Sequence, residues 1–223
     1  ENKKNLGFAA GNNIGIKKSK GNIILLLNSD TEVSVGAIQE TVSYLDHHPK
    51  VGVVTCKLIR PDGSMDPACH RGFPTPGAAL AYFSGLEKIF PTISLFGGYH
   101  QGYKDFSQPH EIDSPSGAFF LVKKEVIDQV GLLDERFFMY GEDLDWSYRI
   151  KKAGWSIIFY PYVSVLHKKW QSGKGHSDET QRHETQKHFF EAMQLFYKKH
   201  YQRRYGWLVT NLVQFGIWFL TKR

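Results

Sequence analysis

"NIILLLNSDTEV", residues 22–33, runs five apolar side chains in a row, Ile23 to Leu27, and then stops at Asn28-Ser29-Asp30. A short continuous apolar run bounded by polar residues reads as a buried strand. Its polar end has two readings. Asp, Ser and Thr favour turns and helix caps because their side chains bond nearby backbone N–H groups, so Asp30 could be a local stop. Alternatively the strand carries Asp30 to the open end of an α/β sheet, where ligands of such folds gather.

Working outward, strand and helix patterns alternate. Phe8 to Lys18 reads as a short helix despite its glycines. Val35, Ile38, Val42 and Leu45 recur at helical spacing, and Pro49 follows that helix. Val51 to Ile59 is the next strand, closed by a Pro61-Asp62-Gly63 turn. Residues 74–111 are rich in Gly, Pro and aromatics and read as a long loop region with a helix near 78–89. A strand over 118–122 and helices over 124–130 and 142–153 follow, then short strands over 155–160 and 163–166. From Asp178 the pattern is helical. Such alternation makes an α/β sheet flanked by helices. The opening, "ENKKNLGFAAGNNIGIKKSKGN", places no strand ahead of Ile23. A doubly wound domain normally begins with one, so an N-terminal βαβ segment is expected to be missing.

The 223 residues suffice for a real core, and 41% hydrophobic with 14% aromatic residues exclude a disordered chain. A net charge of +6 favours an acidic partner: nucleic acid, an anionic membrane or a phosphorylated ligand. The charge is local, with Lys17, Lys18 and Lys20 near the start and Lys198, Lys199, Arg203 and Arg204 near the end. No nucleic-acid-binding motif accompanies it. Cys56 and Cys69 lack metal-type spacing and read as reduced thiols of a cytosolic protein.

Two further stretches carry chemistry. "FFMYGEDLDWSYRIKKAG", residues 137–154, puts Glu142, Asp143 and Asp145 in the first turn of a helix. Acids there complement the helix dipole and cap free N–H groups. Capping requires only one, however, and three acids within four residues repel each other. A carboxylate kept ionised at such a place can take a proton from an alcohol. "YPYVSVLHKKW", residues 160–170, ends an apolar strand on His167. A histidine there is usually a surface or packed residue. Paired with Asp30, it would suit a divalent ion whose remaining positions go to phosphate oxygens and water.

The ordered motifs "ENKKNLGFAAGNNIGI", "GNIILLLNSDTEV", "PDGS", "SGAFFLVKKEVIDQVGLLDERFFMYGEDLDWSYRIKKAGW" and "YPYVSVLHKKWQSG" together resemble the inverting GT-A glycosyltransferases of family two, in their bacterial rhamnosyltransferase-like branch. The resemblance covers about residues 1–175 and implies a GT-A, Rossmann-like mixed sheet. It also implies that Asn28-Ser29-Asp30 stands at the family's Asp-x-Asp element, with Asp30 and His167 on the metal side and Asp143 as catalytic base. Asn28 in place of the first acid leaves metal affinity resting on one carboxylate. Asn5, Gly7 and Asn13 fall in the segment along the nucleotide-sugar. Glu142 and Asp145 would bind hydroxyls or hold the helix start, Trp146 would stack on a sugar or sit in the core, and Arg149 would pair with an acid of the cluster. The implied cofactor is Mn²⁺ or Mg²⁺. The implied partners are a nucleotide-diphosphate sugar, rhamnose-like by the branch, and a glycan or polyprenyl-linked acceptor, with no nucleic acid.

Residues 176–223 form a helical extension on this reading. Its end, "YGWLVTNLVQFGIWFLTKR", is shorter in its apolar part than the roughly 20 residues a bilayer span requires. A broad apolar face flanked by Arg203, Arg204, Lys222 and Arg223 suits a helix lying at the inner face of the membrane. Packing on the catalytic domain is the alternative. Two rival functions remain open at this point: a non-catalytic sugar-nucleotide or glycan-binding module of the same fold, and a nucleotidyltransferase.

Overall fold

In the computed structural model, which describes residues 3–168 and 179–222, Ile23–Leu27 forms strand β1 and is preceded by helix α1 over Phe8–Lys18. The chain turns at Asn28–Asp30, where the Thr31 N–H and hydroxyl both donate to the Asn28 carbonyl. It continues as a three-residue strand β2, Thr31–Val33, then helix α2, Ala37–His47, and strand β3, Val51–Ile59. Six of the nine β3 residues in a row are buried, as a strand covered on both faces requires. A 3-10 turn at Pro67–Cys69 and helices α3, Pro76–Phe83, and α4, Leu86–Ile89, follow. Strand β4 is His110–Glu111 and strand β5 is Phe119–Lys123. Helices α5, Lys124–Val130, and α6, Glu142–Lys152, lead to strand β6, Ser156–His167. Helices α7, Glu179–His200, and α8, Trp207–Thr221, complete the described chain.

The sheet is mixed, in the order β1-β5-β3-β6-β2, with β4 also pairing β6. β3 and β6 run parallel, while β5 runs antiparallel to both β1 and β3. The main core lies between this sheet and the helices, around Leu45, Val53, Phe119, Phe120, Trp146 and Phe159. A second cluster packs α6 against α7, through Phe137, Leu144, Ala192, Phe196, Tyr197 and Tyr201.

Three expectations change. The two short strands over 155–160 and 163–166 are one strand, β6, because a bulge absorbs Pro161: the register jumps from Cys56 opposite Tyr160 to Lys57 opposite Ser164. A bulge tolerates proline because the extra residues make no ladder bond. The single helix expected near 78–89 is two helices, separated at Ser84–Gly85. Strands β2 and β4, of three and two residues, are too short to show a period. Helix α7 shares the second core with α6. The stretch from 169 onward in "YPYVSVLHKKWQSG", and the boundary expected at 175, lie outside the described residues.

Candidate functional site

The pairing of β2 with β6 decides where Asp30 and His167 meet. Thr31 stands opposite His167, and the Lys168 N–H donates to the Asp30 carbonyl at 2.8 Å. The side chains converge, with His167 Nε2 3.5 Å from Asp30 Oδ1 and both residues buried. His167 Nδ1 lies 3.0 Å from Asp66 Oδ2. A carboxylate is acceptor-only, so Nδ1 donates to Asp66 and Nε2 is turned to Asp30. Asp66 also caps the 3-10 turn through the Ala68 N–H.

Asp30 Oδ2 and His167 Nε2 have no hydrogen-bond partner among the described residues, though both are buried. Buried polar atoms without partners are costly, so two converging acceptors call for a cation between them. The carboxylate behind the histidine is the arrangement that orients metal-bound imidazoles. The donor set therefore fits a divalent ion. No group of three His, Cys, Asp or Glu side chains suited to a metal occurs among the described residues, so phosphate oxygens and water would complete the shell.

The second cluster stands at the start of α6. Tyr140 and Gly141 both adopt positive φ, 69° and 80°, just before the acids. That conformation is uncommon for tyrosine and costs roughly 1–3 kcal/mol. It throws Glu142 and Asp143 inward, and both are buried. Asp143 Oδ2 meets the Arg71 guanidinium at 2.6 Å, and Oδ1 accepts from the Leu144 N–H at 2.7 Å. Burial, and then the charge of Asp143, push the Glu142 carboxyl up to about 8. Of the two neighbours, Glu142 holds a proton at neutral pH and Asp143 forms the ion pair.

Asp66 and Arg71 join the two clusters. Only five residues apart, they span at most about 17 Å even when extended. One short segment thus holds His167 at one end and Asp143 at the other. Sequence reading missed both residues. Asp66 precedes Pro67, a visible cap signal, but nothing local links Arg71 to an aspartate 72 positions away.

The other expected residues divide. Asn28 is half-buried at the end of β1, beside Asp30. Asn5 is exposed and accepts from the Gly7 N–H. Gly7, at φ 83°, has no room for a Cβ, which would lie 2.4 Å from the Phe138 carbonyl oxygen. One expectation is corrected, and for two residues the scaffold alternative is the one observed. Asn13 is buried and its amide is spent on the Leu133 backbone and Glu135, so it fastens α1 rather than facing a ligand. Trp146 is fully buried, stacked on Phe120 and bonded to the Gly131 carbonyl, and no sugar can reach it. Asp145 is fully buried and binds Arg149 at 2.9 Å, Lys199 at 2.6 Å and His200 at 2.7 Å. It holds the helix start, and Arg149 pairs with it as expected.

The chain matches the family described as "Glycosyltransferase like family 2" over residues 2–196. It belongs to that family. A relative from Mycobacterium tuberculosis, an N-acetylglucosaminyl-diphospho-decaprenol L-rhamnosyltransferase, is 31% identical over 151 residues, 67% of this chain and 48% of the relative. A relative from Haloferax volcanii, the low-salt glycan biosynthesis hexosyltransferase Agl10, is 25% identical over 73% of this chain and 49% of its own. The chain spans about half the length of these curated relatives. Among solved structures, GalNAc-T7 with UDP, GalNAc and Mn²⁺ superposes with a TM-score of 0.53 at 18% identity, over 83% of this chain and 36% of that one. The likeness establishes the GT-A fold of this chain.

Proposed function

We propose that this glycosyltransferase moves a sugar from a nucleotide-diphosphate donor to a hydroxyl of a lipid-linked or cell-surface glycan, with inversion. The carrying observation is the segment 66–71, which steadies His167 beside Asp30 and grips Asp143 with Arg71. Asp30 and His167 would hold Mn²⁺ or Mg²⁺, which when bound neutralises charge growing on the departing diphosphate. Asn5, Gly7 and Asn28 stand on the donor side. Asp143 takes the proton of the acceptor hydroxyl as that oxygen bonds the anomeric carbon, opposite the breaking bond to the diphosphate. The relatives support this reading: one is named for a rhamnosyl donor and a decaprenol-linked acceptor, the other for glycan biosynthesis. A non-catalytic module of the same fold would bind the donor and release no nucleotide.

The metal arrangement is tested by calorimetric titration of Mn²⁺ with inorganic pyrophosphate supplied as the diphosphate. Asp66→Asn removes the charge that orients His167 and should weaken Mn²⁺ binding about 10- to 100-fold. Asp30→Ala should remove it. Unchanged affinity in both variants refutes the site.

The same proposal puts α8 at the inner face of the membrane. No described helix is long and apolar enough to cross a bilayer. Thr210 of α8 turns inward to the Tyr197 hydroxyl of α7, at 3.1 Å. One face of α8 therefore packs on α7, and the other presents Trp207, Leu208, Phe215 and Trp218 to solvent. Arg203, Arg204 and Lys222 flank it, each adding about 1 kcal/mol near an anionic surface at low salt. Replacing Trp207, Phe215 and Trp218 with Ser should leave the fold intact and abolish flotation with anionic liposomes. Equal flotation of both proteins at low salt ends the membrane assignment.

A further inference from the structure

An apolar groove of about 450 Å³ lies between α3, α7 and α8, lined by Leu80, Phe83, Met193, Val209, Leu212 and Ile217. Its size falls within the range of ligand pockets, about 300–1,000 Å³. One end reaches Tyr140, Gly141 and Leu144, the residues that frame Glu142 and Asp143 at the start of α6. Tyr99, also on its wall, stands near Arg71, the partner of Asp143. The other end opens along α8, beside the exposed aromatic face just described. Two glycines on its wall, Gly77 and Gly216, face open space: a Cβ on either meets nothing within 4 Å.

We infer that this groove binds the first isoprenoid units of a lipid-linked acceptor and lays its diphosphate-sugar head beside Asp143. The inference rests on the transfer reading above and adds the place of the lipid. An apolar channel with one end at the start of the helix that carries Asp143 and the other at a membrane-facing helix joins the two places such an acceptor occupies at once. A water-soluble glycan would leave the channel empty. A docked protein helix would need a longer trough, and this groove stops at Tyr140, Gly141 and Leu144. The cations around α8 complement the anionic surface from which the chain enters. The groove takes the proximal part of the chain, and the remainder stays in the lipid.

The test uses the intact protein and a benzophenone-tagged farnesyl diphosphate as photoprobe, with labelled peptides mapped by mass spectrometry. Labelling should fall on α3, α7 and α8, and Gly77→Leu and Gly216→Phe, which fill the groove from open positions, should suppress it. In the transfer assay the same variants should lose about tenfold or more in kcat/KM on a farnesyl-linked acceptor, the scale of one misfit in an apolar pocket. On the same sugar carrying a methyl aglycone they should match the parent. Labelling elsewhere, or labelling unchanged by both variants, overturns the groove assignment. Displacement of the probe by phospholipid would make it an acyl-chain site, and displacement through dimer formation would make it an interface between copies. Loss of all transfer in the parent protein strikes the functional reading, while the labelling pattern still decides the groove.

Discussion

Asp143→Asn is expected to lower kcat by about a hundredfold to ten-thousandfold, the contribution of a positioned general base. The amide is nearly isosteric and can still accept from Arg71, so circular dichroism should show an intact fold. Because the proton transfer occurs only in the transition state, the loss should appear in kcat and leave KM close to the parent value. Glu142→Gln is the control. Glu142 already carries a proton at neutral pH, so turnover should survive its replacement. Its effect should appear in the pH dependence of stability. Between the ordinary carboxyl value of 4.5 and about 8, the unfolded chain has released this proton and the folded one retains it. Stability therefore falls as pH rises through that window, and Glu142→Gln should flatten the slope. If Asp143→Asn turns over normally while Glu142→Gln does not, the two roles are exchanged.

Asp145→Ala should be the most destabilising single change near the site. Burial alone would push the Asp145 carboxyl up, and His200, Lys199 and Arg149 outweigh it and hold it below the usual range. Three cationic or potentially cationic side chains converge on one fully buried acid, and two of them come from α7. Removing the shared partner of a buried ion network costs about 3–5 kcal/mol. At roughly 2–4 °C per kcal/mol for a chain of this size, Tm should fall by about 6–20 °C. Reversed stability linkage is also expected: a depressed carboxyl stabilises at neutral pH and loses that contribution as pH falls below its ordinary range. Urea unfolding of Asp145→Ala and Lys199→Met, singly and together, checks the coupling. A loss below about 1 kcal/mol in Asp145→Ala would show that α7 is held by its aromatic contacts alone.

Where sequence and structure agree, the signal is long and local. Ile23–Leu27, Val51–Ile59, Phe8–Lys18 and Lys124–Val130 have the bounds that their apolar runs, turn residues and helical spacing indicate. Where they part, the deciding contact lies far along the chain. Strand β2 exists only because β6 runs beside it, and Pro161 sits within a continuous β6 only because β3 pairs on both sides of the bulge. Trp146 illustrates the same limit: the sequence left it between a sugar and the core, and stacking on Phe120 of β5 puts it in the core.

By itself the sequence determined the alternating α/β architecture, the carboxylates at the ends of β1 and at the start of α6, and the histidine closing β6. Those features follow from steric periodicity and side-chain chemistry within a few residues, and no distant partner can erase them. Only the tertiary structure decided that Asp30 and His167 touch, that Asp66 and Arg71 bind the two clusters together, and that Asn13, Asp145 and Trp146 serve the scaffold. Antiparallel register, the reach of one short loop and competition for burial set those outcomes. They depend on groups up to 137 positions apart, whose meeting no local period encodes.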